Sequence, residues 1–128
     1  MSLKLGLKPH EKVIIGGAVI SAGNKHVDIL IENIVPILRQ KDIMLEENAD
    51  TPARRIYFAL QLMYIDTENR PAHIEAFFEL SRQILTAAPS AEVYITRICD
   101  FVTTSQFYHA LKIANQLIDY EKELTDNV

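Results

Sequence analysis

Residues 37–58, which read ILRQKDIMLEENADTPARRIYF, mark the change from one kind of secondary structure to another. Before this segment apolar residues recur with a period of two, which is typical of strands, and after it they recur every three to four residues, as in a helix. The segment also contains Arg39, Lys41, Arg54 and Arg55, half of the basic residues that precede Tyr64. It therefore predicts a junction between a β-rich part and a helical part, with basic side chains that suit an anionic ligand.

The length and cysteine content set limits on the class of protein. A chain of 128 residues is expected to form one domain, or two small layers that share one core. The single cysteine, Cys99, excludes an intrachain disulfide and favours a reducing, cytoplasmic setting. It lies in an apolar helical run, which favours a buried structural thiol over a nucleophile. No signal peptide is recognised, and no segment approaches the ~18 apolar residues of a membrane span.

Charge is unevenly distributed along the chain. The net charge is −4, yet residues 1–44 contain six basic and four acidic side chains, a net of +2. The remaining residues contain seven basic and thirteen acidic side chains. A weakly basic first part is compatible with RNA contact, although it lacks the broad basic face of a strong nucleic-acid binder.

The first 45 residues predict short antiparallel strands joined by tight turns. Leu3, Leu5 and Leu7 alternate with less apolar residues, so they define one face of a strand. Gly16-Gly17 and Gly23-Asn24 are both hairpin signals, because such residues tolerate positive φ. The strands are expected near residues 3–7, 13–15, 18–20, 26–32 and 37–39. They predict a small antiparallel sheet or half-barrel.

The rest of the chain predicts four helices. Thr51, followed by Pro52, is expected to cap the first helix, and Asn69, Ser90 and Ser105 mark the other three starts. The inward residues are expected to include Ile56, Leu60, Met63, Ile74, Phe77, Phe78, Ile84, Phe107, Leu111, Ala114, Leu117 and Ile118. The predicted fold class is α+β, with a β-rich module at 1–45 and a four-helix module at 51–128, packed as one unit.

Motifs of catalysis and metal binding are not recognisable in the sequence. Gly16-Gly17 is assigned to a hairpin and not to a phosphate loop, and there is neither a nucleophile elbow nor an HExxH motif. The four histidines, at positions 10, 26, 73 and 109, are scattered without metal-ligand spacing. We therefore expect a binding protein and not an enzyme, with no metal and no cofactor.

Arg54 and Arg55 in the first turn of the predicted first helix have two interpretations. Backbone N–H groups at a helix start and two guanidinium groups together suit an anion. Alternatively, the arginines form salt bridges with Asp50, Glu46 or Glu47, which are close in sequence. The residue pattern leaves both interpretations open.

Arg39 and Lys41 also have two interpretations. They flank Gln40 at the end of the last predicted strand, so they are expected to share a sheet face, which either binds a ligand or is simply solvated. Nearby aromatic residues could stack on unpaired RNA bases, but at helical spacing they are more typical of a core. These are Tyr57, Phe58 and Tyr64.

Several segments resemble the FlbT family of flagellum biosynthesis repressors. They are KLGLKPHEKVIIGGAVI, LRQKDIM, TPARRIYFALQLMYID and YHALKIANQLIDYE, and they extend over nearly the whole chain in the family's order. The resemblance implies a cytoplasmic post-transcriptional regulator that acts on the 5′ untranslated region of flagellin mRNA, with the flagellar protein FlaF as functional counterpart. Both repression and activation are known in the family, so the direction of regulation is not implied.

The first part of the chain is also similar to the carbon storage regulator family of small dimeric β-proteins that bind leader RNA. The similarity lies in KPHEKVIIGGAVI, HVDILIEN and ILRQKDI. It implies RNA contacts along residues 3–8 and 38–42. This chain departs from that family's pattern because Gln40 stands where the regulator's arginine aligns, and the basic side chain is Arg39.

These observations together predict an RNA-binding regulator whose partner is the flagellin mRNA leader. The candidate RNA-binding residues are Lys4, Lys8, Arg39, Lys41, Arg54 and Arg55. The alternative is a protein-interaction adaptor or a chaperone-like partner that binds flagellin or FlaF and affects the mRNA indirectly. A homo-oligomer is expected in either case, because short strands leave sheet edges that a second copy can cover.

Overall fold

A computed structural model describes residues 2–126, in which five strands precede four α-helices. The strands are β1 (Leu3–Leu7), β2 (Lys12–Ile15), β3 (Ala18–Ser21), β4 (Val27–Ile31) and β5 (Ile37–Arg39). The helices are α1 (Pro52–Ile65), α2 (Arg70–Ala87), α3 (Glu92–Thr103) and α4 (Phe107–Asp126). The predicted α+β class, with strands first and helices second, is confirmed. The chain divides between Ile43 and Met44 into two compact units, the β unit and the helical unit.

The strands of the β unit pair antiparallel in two small sheets. One sheet pairs β1 with β4, and the other has the order β3-β2-β5. The predicted hairpin at Gly16-Gly17 is confirmed, with φ of 57° and 88° at the two glycines. The hairpin predicted at Gly23-Asn24 is wrong, because β3 and β4 belong to different sheets and β4 pairs with β1.

The core of the β unit lies where apolar faces of its strands meet. Leu5 and Leu7 are buried there, as the leucine alternation predicts, together with Val13, Ala22 and Ile31. Burial of a leucine side chain contributes roughly 1.5–3 kcal/mol. Half-buried apolar side chains pack around these five residues and complete the core of the β unit.

The helical unit is built around α1, which packs against α2 and α4, while α3 packs against α4. Ile56, Leu60 and Met63 of α1 are fully buried, as predicted. Phe77 of α2 is also buried, but Phe78 is 50% exposed, so its predicted inward position is wrong. Successive residues are rotated by roughly 100° around a helix, and here that rotation takes Phe78 away from the side of α2 that buries Phe77. Within residues 2–126, none of the helices is both long and apolar enough to cross a bilayer.

The four predicted helix starts have different outcomes. Thr51 caps α1 as predicted, because its Oγ1 accepts the Arg54 N–H at 3.2 Å. Helix α2 begins at Arg70, next to the predicted start, but Asn69 provides no side-chain cap. The Ser90 cap is wrong, because a 3-10 turn at Pro89–Ala91 precedes α3 and the Ser90 hydroxyl is hydrogen-bonded to the Tyr120 hydroxyl.

Ser105 is also wrongly predicted as a cap, since it ends α3 instead of starting α4. Its φ of 57° is left-handed. The Ser105 N–H donates to the Val102 carbonyl at 3.1 Å, and the Gln106 N–H donates to the Phe101 carbonyl at 2.8 Å. This pair of bonds is the Schellman motif, in which a left-handed residue satisfies the last carbonyls of a helix.

Candidate functional site

The six candidate RNA-binding residues are divided between the two units. Lys4, Lys8, Arg39 and Lys41 lie in the β unit, whereas Arg54 and Arg55 lie in the helical unit. What distinguishes them is whether a carboxylate of the chain already neutralises the cation.

Lys4 and Lys8 are both exposed, but only Lys4 has an acidic partner. Its Nζ lies 3.6 Å from Asp28 across the β1–β4 pair. Lys8 follows β1 in a turn in which its N–H donates to the Glu11 carboxylate at 2.9 Å and its carbonyl accepts the Glu11 N–H at 3.0 Å. The Lys8 ammonium forms no ion pair within residues 2–126, so it is available to a phosphate.

Arg39 has a structural contact that its position in the sequence does not reveal. It is directly opposite Val13, which is fully buried, so the Arg39 side chain projects from the same face of the sheet as Val13, the face toward the core. The guanidinium Nη2 donates to the Gly6 carbonyl of β1 at 2.9 Å and lies 4.0 Å from the Glu11 carboxylate. Arg39 therefore links β5 of one sheet to β1 of the other.

Lys41 lies outside the sheet. Strand β5 ends at Arg39, and Lys41 belongs to a 3-10 turn at Gln40–Asp42. That turn is fixed because the Gln40 side-chain oxygen accepts the Lys12 N–H at 2.6 Å. The prediction that Arg39 and Lys41 share one sheet face is therefore wrong. Lys41 is exposed and has no ion pair in the described part of the chain.

The start of α1 is already occupied by groups of the protein itself. The Ala53 N–H donates to the Glu121 carboxylate at 2.9 Å, and the Arg54 N–H donates to the Thr51 hydroxyl. The Arg55 N–H donates to the Thr51 carbonyl at 2.9 Å. The first helical residue is a proline, which has no N–H. The prediction of exposed N–H groups for an anion is therefore wrong.

The two arginines of α1 differ in their partners. Arg54 donates to Asp50 at 2.9 Å, which confirms the salt-bridge interpretation for this residue. The hydrogen bond from Arg54 holds the pKa of the Asp50 carboxyl below its ordinary value of 3.8. Arg55 is exposed and forms neither an ion pair nor a side-chain hydrogen bond within residues 2–126. Of the two arginines predicted to bind RNA in the helical unit, Arg55 is therefore the one without an ion pair in the described part of the chain.

Arg55 borders a cavity of about 370 Å³ between the 3-10 turn at Glu46–Asn48, helix α1 and helix α2. Its lining consists of Glu46, Ala49, Arg55, Phe58, Ala59, Leu62, His73, Ala76 and Leu80. A cavity of this size is within the range of ~300–1,000 Å³ typical of small-ligand sites. The sequence does not reveal this cavity, because its lining comes from three segments.

Gln61 positions the chain that leads into the turn at Glu46–Asn48. Its Oε1 accepts the Met44 N–H at 2.7 Å, and its Nε2 donates to the Met44 carbonyl at 2.9 Å. The side chain is only 3% exposed. A glutamine four residues after Tyr57, on the apolar face of α1, was the signal in the sequence that could have identified this contact.

The three aromatic side chains weighed as base-stacking groups differ in exposure. Tyr57 is only 3% exposed, so it cannot stack on RNA. Tyr64 is half-buried and packs against Tyr108, with ring centroids 6.3 Å apart. Phe58 is also half-buried and lines the 370 Å³ cavity, so it is the aromatic group next to a free cation.

Several other titratable groups have local contacts or shifted pKa values. Asp66 is hydrogen-bonded to His73 at 2.9 Å, and this bond holds the pKa of the Asp66 carboxyl below its ordinary value. His109 stacks on Phe101. Burial raises the pKa of the half-buried Cys99 thiol above its ordinary value of 9.0. Within residues 2–126, no three histidine, cysteine or acidic side chains lie close enough to hold a metal ion.

Comparisons with known proteins identify a matching family model and several similar relatives. Residues 3–125 match the family model described as "Flagellar protein FlbT". The chain is 43% identical to the "Probable flagellum biosynthesis repressor protein FlbT 1" of Bradyrhizobium diazoefficiens, over 97% of this chain and 85% of that protein. It is 34% identical to the "Flagellum biosynthesis repressor protein FlbT" of Caulobacter vibrioides, over 100% of this chain and 92% of that protein. No solved structure matches it significantly.

Proposed function

This chain belongs to the FlbT family, and from that membership we propose that it regulates flagellin synthesis by binding the 5′ untranslated region of flagellin mRNA. The observation that carries the proposal is the match over residues 3–125 to a family whose relatives are named flagellum biosynthesis repressors. Regulation occurs in the cytoplasm, where leader RNA meets ribosomes. Binding changes the translation and the stability of the mRNA, and cellular ribonucleases, not this protein, cleave the RNA.

The cations without an acidic partner support direct RNA contact. Lys8, Lys41 and Arg55 are exposed and form no ion pair within residues 2–126, so an RNA phosphate needs no internal partner to be displaced. Lys4 and Arg54 are paired with Asp28 and Asp50, and exposed ion pairs of this kind contribute little because water screens them. They can exchange a carboxylate for a phosphate at small cost.

Arg39 has a less direct part in the proposed binding. Its contact with the Gly6 carbonyl means that substitution perturbs the β unit as well as any RNA contact. We therefore expect Arg39→Ala to reduce both the stability of the protein and its RNA affinity, whereas Lys41→Ala reduces RNA affinity alone.

Cell-free translation tests the proposed function. A reporter mRNA with the flagellin leader of the same organism is translated in an extract that contains neither flagellin nor FlaF, with and without the purified protein. The matched reporter has an unrelated leader of equal length. We expect the protein to change synthesis only from the flagellin leader. Equal synthesis from that reporter with and without the protein contradicts direct regulation.

A second candidate function is an adaptor that binds flagellin or FlaF and affects the mRNA indirectly. The observation in its favour is the acidic balance after residue 44, thirteen acidic against seven basic side chains, which disfavours RNA on most of the helical unit. An adaptor does not change synthesis from the flagellin leader in the extract described above, and it does so once flagellin or FlaF is added. A direct regulator acts without that partner.

We also propose that the protein forms a homo-oligomer through the β unit. Leu30 is 65% exposed and Ile34 is fully exposed, and the strands around them are short. Covering such residues and sheet edges with a second copy removes apolar surface from water. Size-exclusion chromatography with light scattering is expected to give a multiple of the 14.6 kDa chain mass. A monomer at all concentrations contradicts this proposal, and Leu30→Lys is expected to weaken the assembly.

A further inference from the structure

The 370 Å³ cavity beside Arg55 has the composition of a binding site for one planar polar group. Most of its lining is apolar, with Phe58 as its aromatic ring and Leu62 and Leu80 nearby. Charged groups are few, and the two of interest are Arg55 and Glu46. We propose that this cavity binds an unpaired guanine base of RNA, an inference that rests on the RNA-binding function proposed above.

Arg55 and Glu46 are both free although they line the same cavity. No nitrogen-to-oxygen distance between them is as short as 4.0 Å, and neither forms another ion pair or side-chain hydrogen bond within residues 2–126. The lining therefore offers a donor group and an acceptor group that are not engaged with each other. A ligand that fills the cavity and presents an acceptor edge to one and a donor edge to the other satisfies both.

Some of the acidic groups close in sequence to the lining already have partners, whereas Glu47 and Glu75 form no ion pair within residues 2–126. Asp50 is paired with Arg54, and Asp66 with His73. Glu79 of α2 is paired with Arg82 within the same helix. These pairs reduce the negative charge that a polyanion encounters beside the cavity. Glu46 is the carboxylate of the lining that remains available for hydrogen bonding to a base.

Guanine is the base whose edges fit this pair of groups. Its O6 and N7 are adjacent acceptors, and a guanidinium donates to both in a bidentate contact. Its N1–H and N2–H₂ are adjacent donors, which a carboxylate accepts in the same manner. Adenine has an amino donor where guanine has the O6 acceptor, so it cannot accept both bonds from Arg55. The proposed roles are Arg55 for the acceptor edge and Glu46 for the donor edge.

Small side chains create the space for the base. Ala59 and Ala76 both line the cavity, and larger residues at these positions would fill it. Phe58 provides an aromatic surface on which an unpaired base can stack. RNA proteins that read unpaired bases combine such stacking with hydrogen bonds to the base edges.

Filling the cavity is the first test. Ala76→Leu adds bulk inside the cavity, while Ala72→Leu adds the same bulk at another exposed position of α2, outside the lining. We expect Ala76→Leu to weaken binding of the labelled flagellin leader RNA by about tenfold or more, as loss of base stacking implies. Ala72→Leu is expected to bind as the wild type does. Thermal unfolding by circular dichroism verifies that both variants are folded.

Base identity is the second test, made with free nucleotides and the ¹⁵N-labelled full chain. Guanosine 5′-monophosphate is expected to shift the amide signals of Arg55, Phe58 and Ala76, and adenosine 5′-monophosphate, which has the same phosphate and ribose, is expected not to. Arg55→Gln is expected to abolish these shifts, while Arg97→Gln on α3 removes the same charge without effect. Equal shifts with both nucleotides overturn the assignment of guanine.

The outcomes separate this inference from the proposed function. Leader RNA that binds the wild type and Ala76→Leu equally well overturns the cavity as a base site and leaves RNA regulation standing. Leader RNA that does not bind the wild type overturns both. Loss of binding in Ala76→Leu alone, together with shifts by the guanosine nucleotide, supports both.

Discussion

Replacement of Gln61 by leucine tests how the helical unit holds the segment in front of α1. The two side chains are similar in size, but leucine removes both hydrogen bonds to Met44, at 2.7 Å and 2.9 Å. Each such bond contributes about 0.5–1.5 kcal/mol net, and groups left unpaired away from water cost more. Met44 is half-buried, so its N–H and carbonyl are only partly rehydrated. We therefore expect Gln61→Leu to lower the free energy of unfolding by about 2 kcal/mol.

Urea unfolding of the full chain, followed by far-ultraviolet circular dichroism, measures this effect. The control is Gln83→Leu on α2, because Gln83 is exposed and its side chain donates only to Glu79 on the same helix. Surface changes of this kind alter stability by less than about 0.5 kcal/mol. A loss below about 0.5 kcal/mol for Gln61→Leu, similar to the control, would show that the pair of bonds to Met44 does not stabilise the fold.

Three further predictions concern stability. Glu121→Ala removes the acceptor of the Ala53 N–H at the start of α1, so we expect a loss of about 1 kcal/mol in urea unfolding; no change would show that solvent serves equally well. Ser105→Gly removes the strain of a left-handed residue at the end of α3 and is expected to raise stability by about 1 kcal/mol, whereas lower stability contradicts the Schellman assignment. The hydrogen bond from Arg54 lowers the pKa of Asp50 in the folded state. The ionised Asp50 therefore stabilises the fold above the ordinary pKa of 3.8, and this stabilisation is lost as pH falls through the folded-state pKa. Asp50→Asn is expected to weaken the dependence of thermal unfolding on pH only in that acidic range.

The fold could largely be predicted because its signals are local. The leucine alternation of β1, the Gly16-Gly17 hairpin and the Thr51 cap each depend on a few consecutive residues. The failures at Ser90 and Ser105 have different causes. A serine satisfies a helix start only when its backbone is extended there, and the approach of Tyr120 to Ser90 and the left-handed φ of Ser105 place each in another role.

The candidate site was harder to predict because its character depends on distant partners. The sequence identifies cations, but their availability is decided by contacts such as that of Arg39 with the Gly6 carbonyl, 33 residues away. Glu121 reaches the Ala53 N–H across a separation of 68 residues. Neither contact follows from residue type or spacing. A cavity whose lining comes from three segments is likewise a property of packing and not of a motif.

Fluorescence anisotropy with labelled leader RNA tests the central claim, direct binding of flagellin mRNA, most directly. The purified wild-type protein is titrated into the flagellin leader and into a scrambled leader of equal composition, at a low and a high salt concentration. We expect preference for the flagellin leader and affinity that falls with salt, because cations that bind phosphates release counterions. No binding to the flagellin leader at low salt, or equal binding to both RNAs, would contradict it.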